Sequence, residues 1–344
     1  MNKKLILIAI GALAAVVALV VVIYPTGPKE SWSGAGYGDV AIEIPDGANL
    51  TAIGRILASA GVVETASFFA ISTYDREEAK RIQPGRYLMA LEMGSDEAID
   101  RLLDPESKLQ AVVLLQEGLR LTSAVNAIAR QLQIPQAEVM KAIEDLESGK
   151  LKIELPDYAE RSAEGFLFPA TYSFRDNVSV EEALVEIVQR YYKTERAVNL
   201  KAAAQKMNFT AREILTMASL VEAEAFPGDF GKVARTIFNR LKVNMPLQFD
   251  ATVNYALGSN KLLFTPEQFA FDSPYNTYKY PGLPPGPINS PGEAAIRAVL
   301  NPDEGEWLYF VSTNPDKGIT QFTSSYSEFL KFRSEFQAWY RENR

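Results

Sequence analysis

Among the carboxylates of this 344-residue sequence, Glu222 and Glu224 stand where chemistry is most readily done, just before a helix must end. Thr210 followed by Glu213 makes a capping box, which predicts a helix from Ala211 toward Ala225. Ile214, Met217, Ala218 and Val221 recur three or four residues apart as its buried stripe, and the stripe continues onto Glu224. Glu222 is rotated from that position by about 200° and belongs to another face. A carboxylate on an apolar stripe loses hydration, and at a helix C-terminus it also meets the negative end of the backbone dipole. Both effects favour the protonated form. A general acid needs that property, for instance to protonate a glycosidic oxygen as its bond breaks. The same pattern is also that of a surface glutamate at a frayed helix end, ahead of the terminating Pro227-Gly228.

Downstream lies a second group of candidates. Between Pro274 and Gly292, six prolines and three glycines in nineteen residues exclude helix and central strand and leave a stiff, irregular loop. Tyr275, Asn276 and Tyr278 bring aromatic rings and an amide to it, a mixture suited to a polar ligand with apolar faces such as a sugar, although a plain surface connection has the same composition. Asn239 and Arg240 precede it, as do Gln248 and Asp250, which are candidates for orienting hydroxyl or acetamido groups. Asp250 is open to two further readings: the second carboxylate of a glycoside hydrolase, or the cap of a helix beginning near Ala251. Ser290-Pro-Gly-Glu293 reads as a helix restart with a serine cap and proline at the first position.

Absent residue types narrow the chemistry further. The chain has no Cys and no His, which excludes disulfides, thiol nucleophiles, a Ser-His-Asp triad and the usual zinc sites; no metal and no cofactor is expected. A net charge of -8 with no basic cluster after Lys4 argues against nucleic acid and leaves neutral or carbohydrate substrates as the better expectation.

The elements that must position these residues follow from patterning. Leu5 to Ile23 is an uninterrupted apolar or small-residue run after Lys3 and Lys4. At about 1.5 Å per residue it spans roughly 30 Å, so residues 1–24 are expected to be a cytoplasmic stub and an uncleaved transmembrane helix. Residues 25–36, rich in Pro, Gly and Ser, read as a linker. Alternation of Val40, Ile42 and Ile44, helical spacing of Ile53, Ile56, Leu57 and Ala60, a second helical stretch from Ser67, and a strand after Pro84 describe a small βααβ domain, residues 37–105. Residues 106–204 open on the apolar strand Ala111 to Leu115 and carry no evident chemistry, and residues 205–344 hold the candidate site. The fold class expected is α+β, with a larger mixed α/β domain after the small one, and 47% apolar composition supports a folded ectodomain.

Taken in order, Pro84-Gly-Arg-Tyr87, Glu117-Gly118, Glu164-Gly-Phe-Leu-Phe-Pro169, Ala218 to Glu224, Phe238-Asn-Arg-Leu241, Leu247 to Asp250, Tyr275 to Tyr278 and Gly282 to Gly286 resemble the endolytic murein transglycosylase, or YceG-like, family over nearly the whole chain. The resemblance implies a LysM-like small domain and an inner-membrane protein whose catalytic part lies outside the cytoplasm. It implies cleavage between N-acetylmuramic acid and N-acetylglucosamine within peptidoglycan strands to give 1,6-anhydro ends, limiting nascent strand elongation. Glu224 would be the catalytic acid and then base, with Glu222 supporting and Asn239, Arg240, Gln248, Asp250, Tyr275, Asn276 and Tyr278 binding substrate. Peptidoglycan synthases and the elongation machinery are the implied partners. The chain departs from the family pattern at Ala251, where proline is usual, at Ala170, where aspartate is usual, and in lacking the C-terminal histidines of its relatives. Two other readings stand beside this one: a lysozyme-like hydrolase using Glu224 with Asp250, and a non-catalytic wall-binding scaffold.

Overall fold

Alternating apolar residues at Val40, Ile42 and Ile44 do build a strand, β1 (Tyr37–Ile44), with Ile42 and Ile44 turned into a core. The computed structural model describes residues 30–175, 178–261 and 264–343. The expected membrane span at Leu5 to Ile23 therefore lies outside the described residues, and no described helix is long and apolar enough to cross a membrane. The chain divides into two units, one ending at Gln110 and the other beginning at Ala111.

In the first unit, α1 (Leu50–Ser59) and α2 (Ala66–Tyr74) follow β1, each started by a side-chain cap, Asn49 on the Ala52 amide and Thr65 on the Phe68 amide. The chain returns as β2 (Gly85–Leu91), antiparallel to β1 with Ile42 opposite Tyr87 and Ile44 opposite Gly85. Helix α3 (Ser95–Leu103) follows, and Lys108 and Leu109 at the start of β3 (Lys108–Leu115) pair with Tyr87 and Arg86. Ile42, Ile53, Leu57, Phe69, Met89 and Ile99 meet in one apolar core between the helices and the strands.

The second unit contains two cores. The remainder of β3, α4 (Leu121–Leu132), α5 (Gln136–Glu147), β4 (Ala170–Arg175) and the apolar face of α6 (Val180–Ala197) enclose the first, around Val113, Leu115, Ile128, Ile143 and Leu184. Beyond α7 (Leu200–Lys206), α8 (Ala211–Glu224) forms the axis of the other. The capping box forms as expected, with Thr210 and Glu213 exchanging bonds. The expected stripe is buried, but so are Leu215, Thr216, Ser219 and Leu220, so the middle of α8 meets protein on every side rather than along one face. Around it pack α7, α9 (Phe230–Lys242), α10 (Asp250–Ala256) and, after the short α11 (Pro266–Phe269), α12 (Glu293–Leu300). A hairpin of β5 (Tyr309–Asn314) and β6 (Ile319–Thr323) and the closing α13 (Tyr326–Asn343) complete the unit.

The proline-dense segment adopts neither helix nor strand and is pinned to α8 by polar bonds. Ser219 accepts from the Ile288 amide at 3.1 Å, and the Asn289 side chain donates to the Ser219 carbonyl at 2.9 Å. Arg212 donates to the Pro285, Tyr158 and Ala159 carbonyls, tying the loop to both the helix and the 158–159 turn.

One expectation is corrected. Ser290 does not cap a helix: α12 begins at Glu293, and Gly292 is its cap residue. The Ser290 backbone is instead consumed by an antiparallel bridge to Leu119, with its N–H on the Leu119 carbonyl and its own carbonyl accepting from Gly118. A long-range pairing thus overrides a local capping signal.

Gly165 shows how closely these pieces meet. Its φ is +89°, and a Cβ there would come within 2.5 Å of the Pro287 ring, a rigid neighbour that cannot swing aside. Gly165→Ala is expected to destabilise the second unit by more than about 1 kcal/mol, read as a lower urea midpoint at unchanged slope.

Candidate active site

Glu224 is the last residue of α8, where the helix emerges from its packing; the residue is only partly exposed. Its side chain reaches across to the start of α10, where Oε1 accepts from the Ala251 amide at 3.1 Å. Burial pushes its pKa up to about 7; the Ala251 N–H opposes that rise, the nearby Asp250 carboxyl adds to it, and the Arg240 guanidinium opposes it. A carboxyl poised there can donate a proton near neutrality and take one back.

Glu222 points elsewhere, as its position on the helix requires. Its Oε2 accepts from the Gly292 amide at 3.0 Å, and burial, with the Glu117 carboxyl nearby, raises its pKa against that hydrogen bond. Glu222 thereby holds the start of α12 against the end of α8.

Asp250 and Tyr278 form a pair, the tyrosine hydroxyl donating to Oδ1 at 2.6 Å. Asp250 keeps solvent contact as a residue, yet loss of hydration at its carboxyl raises its pKa, and the Tyr278 bond offsets part of that. Asp250 is the first residue of α10 and makes no side-chain cap, so the capping reading gives way to the pairing with Tyr278. Tyr278 packs on Phe269 with the rings tilted at 58° and their centroids 4.7 Å apart.

Several candidates make hydrogen bonds that shape the surrounding loops. Arg240 is buried, donates to the Leu308 carbonyl at 2.6 Å and to the Leu247 carbonyl, and lies over the rings of Phe249 and Tyr309. Asn239 donates to the Gly305 and Trp307 carbonyls, so this pair clamps the segment entering β5. Asn276 is fully buried: its amide nitrogen serves the Phe269 and Phe271 carbonyls and its oxygen accepts from the Tyr278 amide. Asn239 and Asn276, expected from sequence to bind substrate, have their side-chain donors engaged by carbonyls of the surrounding loops. Tyr275 packs against Tyr255 at 4.7 Å. Gln248 is exposed in a left-handed conformation, φ +52°, and its backbone N–H donates to the Thr277 carbonyl at 3.1 Å.

Sequence reasoning passed over another carboxyl. Glu164, 7% exposed, accepts from the Leu121 amide at 3.0 Å, and burial pushes its pKa up to about 7 against that bond, the Tyr255 hydroxyl and Arg120. Arg120 in turn donates to the Asn254 carbonyl and lies over the Tyr255 ring, which secures the far end of α10. The available signal was a lone charge at the head of the apolar run Gly165 to Pro169. Among the described residues no cluster of acidic side chains could hold a metal ion.

The Arg240 fork is the most testable piece of this frame. Arg240→Lys replaces two fixed donors with one mobile ammonium and should lower stability by about 2 kcal/mol, measured as a shift in the thermal or urea midpoint.

The sequence model of the YceG-like family matches residues 42–335. A Bacillus subtilis protein named endolytic murein transglycosylase is 33% identical over 312 residues, spanning 86% of this chain and 84% of that protein. A Streptococcus pneumoniae protein of the same name is 29% identical over 308 residues, covering 79% of this chain but 54% of its own length. The crystal structure of a yceG-like protein from Listeria monocytogenes superposes with a TM-score of 0.58 at 30% identity, over 86% of this chain and 99% of that one. With the family model matching most of its length and a relative of this similarity, the chain belongs to the YceG-like family.

Proposed function

We propose that this chain is a lytic transglycosylase of the cell wall, a lyase that cuts peptidoglycan glycan strands at internal bonds between N-acetylmuramic acid and N-acetylglucosamine. The observation that carries this reading is the Glu224 carboxyl, its pKa pushed up to about 7 at the end of a buried helix, with one oxygen anchored. The printed names of the Bacillus and Streptococcus relatives support the same activity.

Glu224 in its acid form donates its proton to the bridging oxygen as the bond from the muramic C1 breaks, and the glucosamine end leaves with that proton. The sugar's own acetamido group stabilises the electron-poor C1, so no close carboxylate nucleophile is needed. Glu224, now a carboxylate, takes the proton from the muramic 6-hydroxyl as that oxygen bonds to C1. The product is a 1,6-anhydro ring, no water is consumed, and the enzyme returns to its starting protonation state. Asp250 is held by the Tyr278 hydroxyl, an arrangement that favours a supporting role over activation of a hydrolytic water. Gln248, Tyr275 and Tyr278 are the residues proposed to meet the sugar, with Glu222, Asn239, Arg240 and Asn276 holding the loops that present them.

Residues 5–23 would anchor the chain in the inner membrane with the site outside the cytoplasm, residues 37–105 would act as the LysM-like part, and cutting of nascent strands beside their synthases would limit strand length.

Two measurements test the proposal. Glu224→Gln should lose about 10²- to 10⁴-fold in the release of anhydro-ended fragments from purified sacculi, scored by mass spectrometry. Reducing muramic ends from the wild-type chain would instead mean hydrolysis, and cleavage by the variant at the wild-type rate would mean that Glu224 is not the acid. The reaction starts from the protonated form of Glu224, so activity should fall as pH rises through about 7, and a rate flat from about pH 5 to 9 would contradict the assignment.

A further inference from the structure

An internal cut requires the glycan strand to continue past Glu224 in both directions, so more of the surface around the acid must hold sugar residues than the proline-rich loop with Tyr275 and Tyr278 provides. The chain leaving α8 and the tip of the β5–β6 hairpin form another part of that surface, and it carries Phe226. Ala225 is extended, φ -128° and ψ 153°, so the backbone travels about 7 Å between Glu224 and Phe226. Pro227 then fixes the next φ, and the Asp229 amide donates to the Phe226 carbonyl at 2.8 Å. Lys232 of α9 holds the Asp229 carboxylate in turn, at 3.2 Å.

The ring is held as well as the backbone. Gly318 closes the turn between β5 and β6 with φ +63°, and a Cβ built on it would lie 3.8 Å from Cγ and Cδ2 of Phe226 and 4.0 Å from Cδ1. Near-equal distances to three ring carbons put that point over the ring face, so Gly318 backs one face of the phenyl group. The residue is nevertheless 41% exposed, which leaves the opposite face to solvent. One exposed aromatic side chain is ordinary on a protein surface. Of the other exposed aromatics described in the second unit, Phe271 and Tyr280 belong to the chain in and before the proline-rich loop and Tyr326 begins α13; Phe226 is the one on the stretch leaving α8. A ring backed by the hairpin and fixed at its backbone loses little freedom when a ligand is laid on it.

We propose that Phe226 is a stacking platform for the peptidoglycan strand, the open face of its ring taking the apolar face of a sugar residue close to the bond cut at Glu224. This inference rests on the reading of Glu224 as acid and base. A pyranose carries hydroxyls around its rim and C–H groups on its faces. The electron-rich face of a phenyl ring attracts such C–H groups, and contact removes apolar area of both partners from water. Phe226 has no charge and no hydrogen-bond donor, so the platform acts on strand affinity and leaves the proton transfers to Glu224.

In the full chain, Phe226→Ala is expected to raise KM for amidase-treated, peptide-free glycan strands about tenfold, with the alkaline limb of the pH–rate profile in its wild-type position. Phe226→Tyr, which keeps the ring, should bring KM back to within about twofold of wild type. A wild-type KM in Phe226→Ala would mean that the strand does not rest on the ring. A loss confined to kcat, or a displaced alkaline limb, would mean that Phe226 acts on the placement of Glu224. Any of these results overturns the inference. Since loss of the ring could loosen the hairpin, a second measurement observes the ring in place. In Glu224→Gln chain labelled with 4-fluorophenylalanine, the 19F resonance that Phe226→Ala removes should shift when peptide-free strands are added, and a resonance that stays fixed at saturating strand also overturns the inference. Because this measurement reads binding and not cleavage, it is distinguishable from failure of the parent reading. If Glu224→Gln still releases anhydro ends, the acid is wrongly assigned, whereas an inactive Glu224→Gln with an unmoved resonance removes only the role given to Phe226.

Discussion

The removal of one carboxyl from water is the constraint from which the rest of the second unit takes its shape. A glutamate at the end of an exposed helix titrates near its ordinary value and is fully charged at neutrality. Glu224 does not, because α8 is buried on all sides for most of its length and releases its last turn against α10 and the Arg240 clamp. Burial of a charge is destabilising, so such a site persists only if the surrounding structure is stable without it. The two apolar cores, the capping box at Thr210 and the bonds from Ser219 and Arg212 to the proline-rich loop supply that stability away from Glu224.

The same economy explains why so many polar side chains near the site face inward. Arg240, Asn239 and Asn276 spend their donors on carbonyls of irregular segments, which have no ladder of their own to satisfy them. Loops held in this way can be stiff without being helix or strand, and a stiff loop loses little freedom when a sugar strand is laid against it. Glu222 and Glu164 work at the margins of this frame, one tying α12 to α8 and the other, with Arg120 and Tyr255, securing the far end of α10. Helix α10 is therefore held at both ends, and its first turn, which meets Glu224, is kept in place.

Much of this was legible in the residues themselves. The helix from Ala211 to Glu224, the strand at Val40 to Ile44, the helices around Ile53 and Phe69 and the irregular character of 274–292 all follow from capping residues, periodicity and proline content, which act over a few positions of chain. The separation of Glu222 from Glu224 onto different faces follows from helical geometry alone. The absence of Cys and His had already confined any catalysis to carboxylates and the few other side chains able to carry a proton.

What remained hidden depends on segments far apart in the chain. Ser290 looks like a helix cap until Leu119, 171 positions away, claims its backbone. The bond between Asp250 and Tyr278, 28 positions apart, and the backbone partners that Asn276 finds in its own loop are likewise visible only once the chain is folded. The sequence by itself placed Glu224 on the buried stripe of α8 and Glu222 on another face, because those are properties of local spacing. Only the tertiary structure decided what Glu224 touches, since its hydrogen bond with the amide of Ala251 exists solely where two helix ends have been packed together.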